Sequence, residues 1–212
     1  MKLALIKTLF QNRDKSLFRN SSFFDLITYF FKLKMGEFTG NIFKFEENQK
    51  KSILNKNRMS DVSNWLEKII KKTLQKINLS DSIIFEENKG FENIGSGFIF
   101  VPFIFGKAVS FSQKESTVFF KTDGKKSYDL KINFISIPKM KVYIKIEDTI
   151  IDSFNINSLS SVQKIIHIKS QLINEKISKI SILVEKCWSP SYVFNEIPNY
   201  PLGVGIEQIE IL

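Results

Sequence analysis

Tyr128-Asp129-Leu130-Lys131-Ile132-Asn133-Phe134-Ile135-Ser136, followed shortly by Met140-Lys141-Val142-Tyr143-Ile144-Lys145-Ile146-Glu147, carries the clearest periodic pattern in the chain. Leu130, Ile132 and Phe134 alternate with Asp129, Lys131 and Asn133, and Val142, Ile144 and Ile146 alternate with Tyr143, Lys145 and Glu147. A period of two sends apolar side chains to one face and polar ones to the other, which is the pattern of a half-buried strand.

The same reading extends both ways. Short runs of β-branched and aromatic residues between turn signals predict strands near 98–104, 108–112, 116–121, 127–136, 140–147, 150–155, 162–169, 178–185 and 203–212. Asp123-Gly124 is expected to be a hairpin turn. Alternating strands broken at short intervals by turns are the signature of an antiparallel sandwich or barrel, and an antiparallel β-sandwich is the expected fold of residues 81–212.

Residues 1–80 read differently, as a helical, basic region. Ser60 or Asp61 can cap a helix over 60–78, in which Val62, Trp65, Leu66, Ile69, Ile70, Thr73, Leu74 and Ile77 form one apolar stripe. Lys68, Lys71, Lys72 and Lys76 fall on the other side, so the helix suits its own domain, a partner or an anionic membrane surface. Ser22 to Met35 reads as a second helix with a very broad apolar surface, ending at Gly36. Residues 36–59 read as a connector. The expected class is therefore mainly β with a helical amino-terminal region.

The bulk numbers set limits. The chain has 212 residues, 43% of them hydrophobic, enough for one good core. Its net charge of +9 comes largely from clusters in the first eighty residues. Such a charge suits nucleic acid, anionic lipid or acidic polysaccharide. Nucleic acid is disfavoured, because the basic residues do not interleave with aromatics as single-strand binding requires. Cys187 is the one cysteine, so no internal disulfide can form and a reducing, cytoplasmic setting is expected, with peripheral membrane contact through the basic helices. Met1 to Ile6 starts like a signal peptide, but Lys7 breaks the apolar run and no small-residue cleavage site follows.

Catalytic groups are few. His167 is the only histidine and sits within a strand pattern, Ile165-Ile166-His167-Ile168-Lys169. Cys187 has Lys186 beside it, but nothing marks His167 as its base. Cysteine and histidine are too scarce for a zinc site. Glu86, Glu87 and Asn88, or Asn195, Glu196 and Asn199, are weak calcium candidates. Gly90, Gly95 and Gly97 precede a strand, so they make no phosphate-cradling loop. No catalytic residue, metal or cofactor is assigned.

Ser181-Ile182-Leu183-Val184-Glu185-Lys186-Cys187-Trp188-Ser189-Pro190-Ser191-Tyr192 runs from strand into an aromatic-proline turn, and Pro198-Asn199-Tyr200-Pro201-Leu202-Gly203-Val204-Gly205-Ile206 leads into a final strand. This pair of segments resembles the carboxyl-terminal part of β-sandwich domains attached to bacterial and archaeal glycosyltransferases and methyltransferases of surface-polysaccharide assembly. Those domains in turn resemble carbohydrate-binding jelly rolls. The likeness covers about residues 90–212. It departs in two places: Asn199-Tyr200-Pro201 stands where an acidic residue and an arginine usually precede the Leu-Gly pair, and phenylalanine or valine replaces the tryptophan of the first strands.

The resemblance implies an accessory protein of surface-glycan biosynthesis that is not itself an enzyme, binding a saccharide or docking on a glycosyltransferase. Trp188, Tyr192 and Tyr200, with Asn195 and Asn199, could offer flat rings and fixed polar groups to a sugar. Alternatively Trp188 plugs the bottom of the sandwich while Gly203 and Gly205 admit close strand approach. A reading of a different class is a structural subunit that oligomerises through its Phe-rich helices.

Overall fold

The structure, a computed structural model, describes residues 23–39, 69, 72–75, 78–104, 107–192 and 200–212. Among the described residues a helix, α1 (Phe23–Thr39), precedes nine strands. These are β1 (Ser82–Ile84), β2 (Ile94–Ile104), β3 (Lys107–Lys121), β4 (Tyr128–Ser136), β5 (Met140–Ile146), β6 (Thr149–Ile156), β7 (Ser160–Ile168), β8 (Ile177–Val184) and β9 (Gly205–Ile211). All the pairings are antiparallel. The class is mainly β, an antiparallel sandwich of jelly-roll type.

The hydrogen-bonded order is β6-β5-β8-β3-β9-β4-β7, with β1 on β9 and β2 on β3. β3 belongs to both layers. Its first half pairs with β9 through Ser110 and Phe111, and its second half, Glu115 to Lys121, pairs with β8. Beyond that fork, β8-β5-β6 forms one sheet and β9-β4-β7 the other.

The alternation read from sequence lines the space between the sheets. Val142, Ile144 and Ile146 stand opposite Val184, Ile182 and Ile180 in one layer. Leu130, Ile132 and Phe134 stand opposite Ile211, Ile209 and Ile206 in the other. All twelve are buried. Phe134 meets Phe154 of β6 edge to face, with ring centroids 5.5 Å apart, which joins the two sheets at one margin. Burying such residues removes roughly 1.5–3 kcal/mol of water exposure per side chain, so this shared core is the main source of stability.

Several expectations are corrected. The helix does not stop at Gly36 but runs to Thr39. Gly36 is helical and buried, one turn beyond Leu33, itself 2% exposed, so it does not terminate the helix. The strands expected at 108–112 and 116–121 are one strand, β3. The polar triplet Gln113-Lys114-Glu115 that suggested a break is a bulge: Ser112 pairs with Phe98 and Thr117 with Ser96, so four residues of β3 oppose Gly97 alone. Gly97 is left-handed there (φ 77°), and a Cβ on it would stand against the carbonyl oxygen of Glu115.

Asp123-Gly124 does turn the chain, with the Lys126 amide donating to the Asp123 carbonyl at 3.0 Å. It does not make a hairpin, because β9 lies between β3 and β4. A tight hairpin stands instead at Glu147-Asp148 between β5 and β6, with Glu147 at φ 50°. β1 went unread because three residues show no period. Of the helix expected at 60–78, only Ile69, Lys72 to Gln75 and Asn78 are among the described residues, and Ile69, Lys72, Thr73 and Leu74 are helical. Residues 40–59 of the expected connector lie outside them.

Candidate functional site

The expected sugar residues follow β8. Trp188 pairs with Leu202 through two backbone hydrogen bonds of 2.7 and 3.0 Å, and its Nε1 donates to the Gly203 carbonyl at 3.0 Å. Its ring meets Phe111 edge on, with centroids 6.1 Å apart, and it is 1% exposed. No ring face remains for a ligand, so Trp188 acts as the core plug. Tyr192 is half-buried against the same core, and Tyr200 is exposed. Asn195 and Asn199 lie outside the described residues.

That end of the sandwich is covered. α1 packs against the short helical turn Pro190–Tyr192, and Leu33 joins the main core. The Glu37 carboxylate accepts the Lys139 amide at 2.7 Å in the β4–β5 connection. Lys34 donates to Glu37 at 2.6 Å and also to the Ser158 hydroxyl in the β6–β7 connection. The helix is thus fastened to two loops and to the turn after β8.

The open polar surface lies beside this lid, on the outer face of the β6-β5-β8 layer. Side chains alternate, so the residues between the core positions face outward. Tyr143 stands between Ser153 and Leu183, and Lys141 opposite Asn155. The Glu185 amide donates to the Lys141 carbonyl at 3.0 Å, which continues the ladder beyond β8. Two rows result: Asn155, Lys141 and Glu185, then Ser153, Tyr143 and Leu183. Tyr143 and Leu183 are both half-buried on this face, and Ile150, opposite Lys145, is exposed on it.

At the first of these rows is a cleft of about 290 Å³ lined by Lys139, Met140, Lys141, Asn155, Glu185 and Lys186. The Lys141 ammonium sits 5.1 Å from the Tyr143 ring centroid, a cation–π contact that fixes both groups. Lys114 reaches in from the β3 bulge and donates to the Glu185 carbonyl. A second cleft of about 320 Å³, at the opposite end, has Leu74, Leu79 and Ile177 as floor and Lys121, Glu175 and Lys176 at its rim.

The acid–base groups do not converge. His167 Nδ1 lies 2.9 Å from Asp129 Oδ1 on the outer face of β4 and β7, where both side chains are exposed. Cys187 is half-buried after β8, in the other layer, and burial pushes its thiol pKa up despite the nearby Lys114. Among the described residues no three histidine, cysteine, aspartate or glutamate side chains gather as a metal site. Glu86, Glu87 and Asn88 lie in an exposed turn after β1.

Sequence reading missed the Lys139–Lys186 cleft. Tyr143 was visible as an aromatic residue among outward lysines, but the lining comes from three separate segments that only the strand order brings together.

No family model matches the chain, and no curated protein matches it. Solved structures similar to it include a family 35 carbohydrate-binding module from Clostridium thermocellum, at 10% identity over 63% of this chain and 98% of that one, TM-score 0.38. Another is a family 36 carbohydrate-binding module in complex with calcium and xylotriose, at 12% identity over 62% and 98%, TM-score 0.38. A third is an exo-β-1,3-galactanase from Phanerochaete chrysosporium, at 9% identity over 64% of this chain and 30% of that one, TM-score 0.38.

Proposed function

We propose that this protein is a non-catalytic module that holds a saccharide on the outer face of the β6-β5-β8 layer and serves surface-glycan assembly. The observation that carries the proposal is the half-buried pair Tyr143 and Leu183 beside the amide of Asn155 and the cleft above it. A ring face and an aliphatic side chain offer a sugar its C–H contacts, and Asn155 and Glu185 offer hydrogen bonds to its hydroxyls. The resemblance of the Trp188 turn and the Leu202-to-Ile206 segment to glycosyltransferase-attached domains supports the link to glycan assembly.

The test is a glycan array probed with the full chain at low and high salt, beside Tyr143→Ala. Salt-resistant retention that Tyr143→Ala abolishes supports the proposal. No retention by the full chain at either salt refutes it. Retention by the full chain that vanishes at high salt reduces it to general attraction of polyanions.

A second reading, an assembly subunit, has one specific observation in its favour. Phe31, Met35 and Phe38 follow helical spacing along α1 and are 63%, 56% and 89% exposed. Large apolar side chains in one exposed stripe mark contact surfaces. Light scattering at high concentration tests it: an oligomer that Phe38→Ser with Met35→Ser dissolves supports the reading, and a monomeric full chain refutes it.

A further inference from the structure

We infer that Glu37 of α1 is a positioning residue of the Lys139–Lys186 cleft, so that the helix sets how well a saccharide is held there; the inference rests on the saccharide-binding reading above. Three separate segments line the cleft: Lys139 to Lys141 entering β5, Asn155 near the end of β6, and Glu185 with Lys186 after β8. Each of them adjoins a stretch that α1 holds. The Glu37 carboxylate takes the Lys139 amide itself, at 2.7 Å. Its other oxygen takes the Lys34 ammonium at 2.6 Å, and Lys34 also donates to the Ser158 hydroxyl, shortly after Asn155 in the chain. The turn Pro190–Tyr192, shortly after Lys186, packs on the same helix.

One ion pair on the helix therefore braces both the β5 side and the β6 side of the cleft. Its own place is fixed, because Leu33, one turn before Glu37, is anchored in the main core. Lys139 stands immediately before β5, and the next residue, Met140, is buried opposite Ile156. The bond from Glu37 thus sets the direction in which the chain enters β5. That direction carries through to Lys141, opposite Asn155, and to Tyr143, whose ring meets the Lys141 ammonium. Binding groups held in place by such supporting bonds lose less freedom when a ligand arrives, and a small shift of one wall weakens every contact the ligand makes.

The experiment is retention of the full chain on the glycan array at high salt, with Glu37→Ala, Glu37→Gln and Ile168→Val beside the unchanged protein and a calorimetric melt of each. Glu37→Ala is expected to weaken retention about tenfold, the lower end of what a hydrogen bond to a charged group supplies. Glu37→Gln keeps an acceptor oxygen for the Lys139 amide and should recover most of that loss. Ile168 is buried at the other end of β7, opposite Tyr128. Ile168→Val lowers stability there and should leave retention unchanged, which separates positioning from a general loss of stability. Retention of Glu37→Ala equal to that of the unchanged protein overturns the inference and leaves the saccharide reading standing. Equal weakening by Glu37→Ala and Ile168→Val also overturns it, since stability alone would then account for both. No retention of the unchanged protein refutes the saccharide reading itself.

Discussion

The indole Nε1 of Trp188 donates to the Gly203 carbonyl at 3.0 Å, which ties the turn after β8 to the residue that leads into β9. That bond sits in a fully buried setting beside Phe111. Trp188→Phe removes the donor and leaves a buried carbonyl short of a partner. The expected loss is about 2 kcal/mol of stability, or roughly a 6 °C fall in melting temperature. A calorimetric melt checks it; an unchanged melt with weakened sugar binding would return Trp188 to the ligand site.

Among the described side chains of α1, Leu33 enters the sandwich core. Leu33→Ala should destabilise the protein by about 2–4 kcal/mol, the usual range for emptying a core leucine site. Denaturant unfolding with a global probe reads this. A loss near zero would mean that the helix lid opens independently of the core.

Gly97 opposes the β3 bulge in a left-handed conformation, with the Glu115 carbonyl where a side chain would begin. Gly97→Ala should therefore cost more than the backbone preference alone, about 2 kcal/mol or more. Gly124, whose surroundings leave more room, provides the comparison: Gly124→Ala should be the milder change in the same denaturation series.

Burial raises the pKa of the Cys187 thiol, with Lys114 opposing in part. The folded state thus keeps the proton to higher pH than the unfolded chain does. Stability from this group is complete below the ordinary thiol value and falls as pH rises through it toward the raised folded value. Alkylation by iodoacetamide should be slower in the native protein than in urea at pH 8, and the two rates should converge as pH climbs. Equal rates at pH 8 would show an exposed thiol.

The sandwich was legible wherever a period of two survived. β4 and β5 are near-perfect cases, and their expected bounds differ from the observed ones by one residue. Legibility failed where one residue does two jobs. β3 is one such case: Gln113, Lys114 and Glu115 are polar like a turn, yet they belong to a bulge within one continuous strand. Gly36 and Asp123-Gly124 have the local chemistry of a stop and a hairpin, but tertiary packing decides what each turn or glycine connects. The candidate site was hidden for a related reason: Lys139, Asn155 and Lys186 are far apart in sequence, and the aromatic residue that drew attention, Trp188, was the one the core required.

The central place of β9 between β3 and β4 governs how the chain can fold. The strand that follows all the others in sequence is an interior one, so the contacts that close the sandwich span large sequence separations, as between Leu130 and Ile211 or Ser82 and Glu210. Such high contact order slows folding, because the entropy of closing long loops is lost before the core rewards it. Until Gly205 to Ile211 are in place, β3 and β4 present unpaired edges to one another and to any neighbouring chain. A chain interrupted before Gly205 should accordingly be recovered as aggregate rather than as a smaller folded domain.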